Sequence, residues 1–423
     1  MDFDNLNSAI QLINNLSNCD LSKNEYESIT NAFRYLRNSC VKGTDVQNEI
    51  IQDAGILNNV QKILINICKN NLSENETVLC LQVGLQFLAN LLVNNCYNQI
   101  QIWNTCQELL QNCLKCDNVK VQNCAAMILY NIFLGHLEFI SDLSHPYVDL
   151  IKITMDESKS EFALYILELF IQKTNYVEKF YLELEPQHRS IILDIIYSFI
   201  SKKSENKVKP ELIKFFVEYF NKHADCILKT VSNDVENYDP IETVKVLEVL
   251  TAFSKDDEYY LPIIQKETSL LVTSTMLLKS IHEVSKETGN NFSMVQKISE
   301  LKEIEKTTSV TEHPGFGFKC SLIQLIGNMC WKNKFNQDKI REFDCIPLLL
   351  DCCNIDGRNP FIIQWCVLAI RNICENNMEN QRVIALMSKE GVIDALKLQQ
   401  IGITLNQESD GSGICMAPLV KKQ

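Results

Sequence analysis

Cysteine and histidine are the residue types in this chain best suited to metal binding or nucleophilic catalysis, and the chain has 18 Cys and 6 His. One CxxC pair is present, formed by Cys113 and Cys116. A structural zinc site needs four ligands, usually from a second such pair at a suitable spacing. Cys106 and Cys124 flank the pair, but we expect them on separate packed helices. We favour reduced thiols packed in the core, where free Cys behaves as a small hydrophobic residue; metal binding is the alternative.

No other pattern in the sequence indicates an active site. Phosphate- and dinucleotide-binding loops of the GxxxxGK[ST] or GxGxxG type are absent, and GFGF at 315–318 lacks the glycine that would open a helix. The histidines are scattered without HExxH or paired spacing: His136, His145, His188, His223, His282 and His313. We therefore predict no catalytic residues, no cofactor and no bound metal. The alternative is a cryptic enzyme, which would need titratable groups clustered in a concave pocket.

Composition and charge favour a globular helical protein and exclude one class of partner. Hydrophobic residues make up 46% and charged residues 22% of the chain, while 13 Gly and 9 Pro are few for this length. Sparse Gly and Pro favour helices over many short strands. Binding to nucleic-acid phosphates needs a basic face, whereas the net charge is −13 and no dense Lys/Arg run occurs. We expect no nucleic-acid partner.

The beginning of the chain and its apolar pattern predict a protein of the cytosol or nucleus. MDFDNLNSAI is acidic and lacks the basic-then-apolar order of a signal peptide. No uninterrupted apolar run reaches the ~18 residues that a transmembrane helix needs. Disulfide scaffolds are small and secreted, whereas Cys330, Cys366 and Cys374 lie within apolar helical patterns. We expect reduced thiols and no insertion into a membrane.

One motif recurs along the chain: an Asn after an apolar stretch, followed eight residues later by an Asn-Gln pair. Asn328 and Asn372 begin two copies that are 44 residues apart, and Asn90 begins a third. Asn38 begins a looser copy, and Asn131 takes the same place in another apolar helix. A period of ~40–47 residues is the signature of armadillo or HEAT arrays. The predicted fold is all-α, an armadillo/HEAT-like right-handed helical solenoid.

The second part of the motif predicts how each following helix begins. Asn before Gln suits a helix N-cap, whose side chain accepts from a free backbone N–H. With Asn336 as the cap, Phe335 and Ile340 would form a hydrophobic staple, and Tyr97 and Ile102 would do the same around Asn98.

The fading and return of the motif divide the chain into five segments. We assign N-terminal armadillo-like repeats to 1–140, degenerate helical repeats to 141–285 and a mobile insertion to the polar segment 286–316. A C-terminal armadillo domain takes 317–404, and 405–423 is expected to be a flexible tail.

The C-terminal domain resembles a known family. The blocks GFK, LIGN, NQD, IPLLLD, NPF and AIRN…NQ occur in order within about residues 316–404 and are similar to the conserved C-terminal domain of the ataxin-10 family. The resemblance implies an armadillo-repeat protein without catalytic residues. It also implies cytoplasmic members, including perinuclear, midbody and cilium-base sites, with roles in neuron survival, neurite outgrowth, cytokinesis and cilium-base biology. Implied partners are a G-protein β subunit, O-GlcNAc transferase and a second copy of the chain.

The residues best placed to bind a partner are the first asparagines of the motif, which we call the ladder asparagines: Asn38, Asn90, Asn131, Asn328 and Asn372. In armadillo folds the third helices line the concave face. An Asn amide there can bind the backbone N–H and C=O of an extended peptide, whatever its side chains. The alternative is that each Asn bonds the neighbouring repeat or its own helix. Trp331 and Trp365 are candidate interface anchors, with core packing as the alternative.

The main functional prediction is a non-catalytic scaffold for protein–protein interaction. A nuclear-transport-type adaptor that binds basic peptide segments in the groove is the alternative. Such adaptors place a Trp four residues before each ladder Asn, and here those positions hold other residues: Arg34, Gln86, Met127, Gln324 and Leu368.

Overall fold

The computed structural model describes residues 3–418 except 4, 20, 54, 71–74, 156–159, 203–205, 232–239, 288–289, 297–312, 388–402 and 408–413. Its helices in the first half are α1 Leu6–Leu16, α2 Lys23–Cys40, α3 Thr44–Ile51, α4 Ile56–Asn70, α5 Asn75–Leu91, α6 Cys96–Lys115, α7 Val119–Gly135, α8 Glu138–Ser141, α9 Val148–Ile153, α10 Glu161–Lys173 and α11 Tyr176–Phe180. A 3-10 turn at Tyr181–Glu183 follows α11.

The second half continues in the same way. Its helices are α12 Pro186–Ser201, α13 Pro210–His223, α14 Pro240–Phe253, α15 Leu261–Ile264, α16 Thr268–Lys286, α17 Phe318–Cys330, α18 Lys334–Glu342, α19 Cys345–Asp351, α20 Ile362–Cys374 and α21 Met378–Leu386. A second 3-10 segment spans Ala224–Val231, and two strands, β1 Ile403–Gln407 and β2 Ile414–Pro418, close the described chain.

Local sequence accounts for several helix starts. Ser22 and Glu25 form a capping box at the start of α2, in which each side chain bonds the backbone of the other residue. Asn118 caps α7 by accepting from two backbone N–H groups. Pro186 and Pro210 occupy the first positions of α12 and α13, where a missing N–H costs nothing.

One series of helices runs through the molecule, and we call it the spine: α2, α5, α7, α10, α12, α14, α17 and α20. Each of these helices packs against the next. Their buried faces belong to one continuous apolar core, and the shorter helices pack around it. Stacked units that each contact only their neighbours are the architecture of a repeat solenoid. The prediction of an all-α helical solenoid is therefore confirmed for the described residues that precede β1.

Two features were not predicted. β1 and β2 pair antiparallel, with Ile403 opposite Pro418. The segment after α16 reaches the loop before α20, because the Gly357 N–H donates to the carbonyl of Val295 at 2.8 Å, and Val295 is buried. Much of the predicted insertion, parts of the C-terminal domain and parts of the tail lie outside the described residues. The five segment boundaries stay predictions.

Candidate functional site

Two ladder asparagines join neighbouring spine helices. Asn90 on α5 donates from Nδ2 to the backbone carbonyl of Arg37 in the last turn of α2, at 3.2 Å. Asn372 on α20 donates in the same way to the carbonyl of Gly327 on α17, at 3.0 Å. Both acceptors are among the last four carbonyls of their helix, which lack partners within it. The same contact therefore occurs near both ends of the array.

The other three ladder asparagines bond differently. Asn328 donates from Nδ2 to the hydroxyl of Ser254, just after α14, at 2.9 Å. Asn131 donates to the carbonyl of Met127 in its own helix, also at 2.9 Å. The oxygen of Asn38 accepts from the guanidinium of the adjacent Arg37.

These contacts limit what the ladder offers to a peptide. Asn90, Asn131 and Asn328 are half-buried, and their carboxamide oxygens accept no hydrogen bond from any residue that the structure describes. Asn372 is only 5% exposed. The three half-buried positions therefore keep an acceptor free, while their donors are used inside the protein. Binding of a peptide by the ladder stays a prediction.

The two candidate anchors have different surroundings. Trp331 follows α17 and is half-buried, with the ammonium of Lys332 4.2 Å from its ring centroid. Its carbonyl accepts from Gln265 Nε2 at 2.8 Å. Trp365 on α20 is also half-buried and packs against the apolar core. Their role as interface anchors stays a prediction.

The Asn-Gln pairs are not helix N-caps, so that prediction is wrong. The caps are asparagines three residues earlier, whose side chains accept from the backbone N–H of the predicted cap: Asn95 for Asn98, Asn333 for Asn336 and Asn377 for Asn380. The predicted staples are wrong as well, because Tyr97 is 60% and Phe335 is 57% exposed. A side chain so exposed cannot fix the direction of the chain by packing.

Each Asn-Gln pair instead donates side-chain hydrogen bonds to backbone carbonyls at the end of the preceding helix. Asn98 Nδ2 donates to the carbonyl of Leu91 at 2.8 Å, and Gln99 Nε2 donates to that of Leu92 at 3.1 Å, both seven residues back. The other two pairs repeat this reach onto the last residues of the preceding spine helix: Asn336 to Met329, Gln337 to Cys330, Asn380 to Ile373 and Gln381 to Cys374. The pair therefore caps carbonyls that have no partner in the helix.

The cap asparagines also link consecutive repeats. Asn377 Nδ2 donates to Gln337 Oε1 at 3.2 Å and to Asp338 Oδ1 at 2.9 Å. Near the other end of the array, Asn95 Nδ2 donates to Gln47 Oε1 at 3.1 Å and to Asn48 Oδ1 at 2.8 Å. Gln47 thus takes the place of Gln337 in the first repeat. At these positions the residues of the motif join helices within and between repeats by hydrogen bonds.

The CxxC pair has a neighbour that sequence spacing did not suggest. Cys113 is fully buried on α6, and the Cys116 thiol donates to the carbonyl of Cys113 at 3.0 Å. Cys68 lies on α4, which packs against α6, and it raises the pKa of Cys113, as does burial. Within the described part of the chain, no group of three or more His, Cys, Asp or Glu side chains could hold a metal ion.

Distant residues form one polar cluster between α16, α17 and α19, in which His282, Lys319 and Cys352 are buried and Asp351 is exposed. The ammonium of Lys319 lies 3.1 Å from His282 Nδ1, and the Cys352 sulfur lies 3.5 Å from the same nitrogen. Asp351 Oδ2 lies 3.8 Å from His282 Nε2. Cys, His and Asp in this order resemble a nucleophilic arrangement, but burial raises the pKa of Cys352, and its side chain is 2% exposed. A closed, protonated thiol is a poor nucleophile.

Two surface cavities accompany the middle of the array. One of about 520 Å³ is lined by polar side chains: Ser141, Thr174, Asn175, Glu178, Lys209 and Glu211. The other, of about 340 Å³, lies beside Trp103 and Phe139. The Phe139 ring stacks on Trp103 at 5.3 Å and on His136 at 5.1 Å, so its faces are already covered. Neither cavity brings together a catalytic set.

Comparison with known proteins decides the family. A family model described as the spinocerebellar ataxia type 10 protein domain matches residues 318–415. Ataxin-10 of Homo sapiens is 32% identical over 395 residues, which cover 90% of this chain and 80% of that protein. Ataxin-10 of Pongo abelii is 33% identical over the same shares. The chain belongs to the ataxin-10 family.

Other similarities to this ataxin-10 family member are shorter or weaker. The ataxin-10 homolog of Dictyostelium discoideum is 42% identical over 96 residues, which are 23% of this chain and 16% of that protein. A crystal structure of an engineered protein aligns with 86% of this chain and 98% of its own at 12% identity and a TM-score of 0.32. A structure from work on cadherin and beta-catenin aligns with 87% and 65% at the same identity and TM-score. Likeness at this level carries no argument about fold or partners.

The matched family domain contains three of the features described above. It spans the link between Asn372 and Gly327, the two C-terminal Asn-Gln pairs and the buried Lys319. Over the described residues of this ataxin-10 family member, no helix is both long and apolar enough to cross a lipid bilayer.

Proposed function

We propose that this ataxin-10 family member is a non-catalytic scaffold for protein–protein interaction in the cytoplasm. The observation that carries the proposal is the spine, in which each of the named helices packs against the next from α2 to α20. Such an array presents a long surface built from successive repeats, which suits extended or multiple partners. The family resemblance adds the proposed roles in neuron survival, neurite outgrowth, cytokinesis and cilium-base biology.

The half-buried ladder asparagines supply hydrogen-bond acceptors on this surface. Each of Asn90, Asn131 and Asn328 lies on a spine helix and has a carboxamide oxygen without a partner among the described residues. Packed helices are ~8–10 Å apart, which corresponds to about three residues of extended peptide at ~3.3 Å each. An extended segment could therefore donate backbone N–H groups about three residues apart to Asn90 and Asn131 on the adjacent helices α5 and α7, whereas Asn328 lies four spine helices beyond Asn131. Its binding would not depend strongly on its side chains.

Charge narrows the class of partner. A net charge of −13 favours association with basic segments and speeds their encounter with the surface. The proposed partners are a G-protein β subunit and O-GlcNAc transferase, with self-association as a further contact. All three come from the family resemblance.

Binding of the two purified candidate partners to the full chain tests this function. We expect the double variant Asn131→Ala and Asn328→Ala to bind about tenfold more weakly, which is a loss of ~1.4 kcal/mol. Asn104, exposed on α6 outside the spine, provides the matched control as Asn104→Ala. Equal binding by the wild type and the double variant would remove the ladder from the proposal. Failure of both partners to bind the wild type would remove these partners.

A further inference from the structure

Two arginines on α2 lie beside the first ladder positions and have no carboxylate partner. Arg37 is half-buried and donates from Nη1 to Gln86 Oε1 on α5 at 2.6 Å and from Nε and Nη2 to Asn38 Oδ1 at 3.2 and 3.0 Å. Arg34 is exposed and donates from Nη1 to Asn31 Oδ1 at 3.0 Å. Among the residues that the structure describes, both guanidinium groups are thus bonded only to neutral amides.

The two side chains keep hydrogen-bond donors for a ligand. A guanidinium has five N–H donors, of which Arg37 uses three and Arg34 uses one within the described part of the chain. Arg37 therefore retains one N–H on each terminal nitrogen. Residues three apart on a helix are neighbours, with Cβ atoms ~5–6 Å apart, so one ligand can reach both groups. By contrast, Arg189, Arg341 and Arg382 each pair with a carboxylate.

The charge around the pair is opposite in sign to the net charge of the chain. The carboxylates of α2, α5 and α7 are Glu25, Glu27 and Glu76, all within the first two turns of their helices. Glu27 precedes Arg34 by seven residues, which is ~10 Å along a helix. Arg37 lies in the last turn of α2, where a cation also suits the helix dipole, but Arg34 lies before that turn. This part of the surface therefore fits a negatively charged group.

We propose that Arg34 and Arg37 bind an aspartate or glutamate side chain of an extended partner segment that lies along the ladder. This binding rests on the proposed function, in which backbone N–H groups of such a segment donate to the ladder asparagines. A carboxylate can accept two parallel N–H bonds from one guanidinium, a geometry that fixes its position.

The two arginines would set the register of the segment. Asn90 lies on α5, which packs against α2, and its Nδ2 donates to the carbonyl of Arg37. Packed helices are ~8–10 Å apart, so a backbone N–H about three residues from the acidic residue can reach Asn90 Oδ1. Backbone bonds alone leave the register open, because every residue of the segment except proline offers an N–H. The charge pair removes that freedom.

Peptide selection on the immobilised full chain provides the first test. From a phage-displayed library of random peptides, we expect the wild type to enrich sequences that share an Asp or Glu at one position. An enriched peptide is then synthesised with that acid and with the corresponding amide in its place, and both forms are titrated by fluorescence anisotropy. The amide form should bind the wild type roughly tenfold more weakly, because it loses a bidentate charged bond.

Substitution of the arginines shows which groups the acid contacts. In the double variant Arg34→Gln and Arg37→Gln, the two forms of the peptide should bind within about twofold of each other, because the charge pair is already lost. Arg34→Gln alone changes an exposed side chain and should reduce the effect of the acid about threefold, which keeps the test valid if the double variant does not fold. Lys152→Gln, exposed on α9 outside the spine, is the charge-matched control and should keep the full effect.

The possible results distinguish this carboxylate site from the scaffold function. Enriched peptides without a shared acid, or with a shared Lys or Arg, would overturn the site, as would an effect of the acid that stays unchanged in Arg34→Gln. Failure of the wild type to enrich any peptide would overturn it too. The scaffold function is decided separately, by the binding of the two purified candidate partners to the wild type.

Discussion

The side-chain amide of Asn372 donates a hydrogen bond of 3.0 Å to the backbone carbonyl of Gly327. The acceptor belongs to the last turn of α17, where helix carbonyls lack partners. Asn372 is 5% exposed, so the bond is shielded from solvent. A residue that looks like a peptide-binding group in the sequence therefore connects two repeats here.

Replacing Asn372 with Ala should lower the free energy of unfolding by about 1–3 kcal/mol, because the Gly327 carbonyl would stay buried without a donor. Asn131→Ala is the matched control. The carbonyl that Asn131 contacts, on Met127, lies in the middle of α7, so we expect a loss below about 0.5 kcal/mol. Urea denaturation followed by circular dichroism measures both. Equal losses of unfolding free energy in the two variants would show that the bond from Asn372 to Gly327 stabilises the fold no more than the bond within α7.

Gly327→Ala should also destabilise the protein, although Ala is the better helix former by about 0.5–1 kcal/mol. A Cβ at position 327 would lie 2.9 Å from both Cα and Cβ of Ala369 on α20. Overpacking of this kind costs about 1–3 kcal/mol, and a backbone atom cannot move aside as a side chain does. Adding Ala369→Gly should restore only part of the stability, since the clash with the backbone of residue 369 remains. A higher melting temperature for Gly327→Ala would contradict the close packing.

The helical array could be predicted from the sequence because the patterns that specify it are local and recur along the chain. Apolar residues at helical spacing define each spine helix, and the 44-residue distance between Asn328 and Asn372 defines the repeat. The starts of the helices that follow the motif could not be predicted, because residues such as Asn333 and Asn336 are equally good cap residues. The turn decides between them: Lys332 has a φ of 51°, which brings the chain round so that Asn333 caps α18. Lysine gives no sequence signal for that conformation.

The candidate site was predictable only in part, for a different reason. The ladder asparagines were placed by periodicity, and the structure puts them on spine helices. Their partners are far away in sequence, as with Asn90 and Arg37 or Asn328 and Ser254, and depend on how helices stack. No spacing rule within one helix could have revealed these partners.

Gln337 should be one of the most sensitive polar positions of the C-terminal domain. Its Nε2 donates to the carbonyls of Cys330, Asn372 and Glu375, and its Oε1 accepts from Asn377. Gln337→Ala should cost about 2–3 kcal/mol, because buried carbonyls on two helices lose their donor.

Gln381 is the matched control for Gln337. It is exposed and makes the corresponding bond to the preceding helix, onto Cys374 at 2.8 Å. Water can replace that bond, so Gln381→Ala should cost less than about 1 kcal/mol. Chemical denaturation of the two variants side by side provides the measurement. A larger loss for Gln381 than for Gln337 would contradict the role assigned to the buried links.

Acid should destabilise the fold through one buried and two half-buried histidines. Burial, followed by the nearby Lys319, lowers the pKa of His282 below its usual 6.5, while Asp351 opposes the shift. Burial also lowers the pKa of His223 and His313. Because these groups have a lower pKa in the folded state, the unfolded state binds more protons as the pH falls through about 6.5. The free energy of unfolding should therefore decrease from pH 7 towards pH 5.

Substitution and direct titration can isolate the contribution of His282. His282→Gln should show a weaker loss of stability between pH 7 and pH 5, because one of the protons taken up on unfolding is gone. Lys319→Met should raise the pKa of His282, since a neighbouring cation no longer opposes protonation. The loss of stability between pH 7 and pH 5 should therefore be weaker in this variant as well. Nuclear magnetic resonance can follow the His282 ring protons in the folded wild type, with an expected midpoint below 6.5. A midpoint above that value would mean that the carboxylate of Asp351, rather than burial and Lys319, controls this histidine.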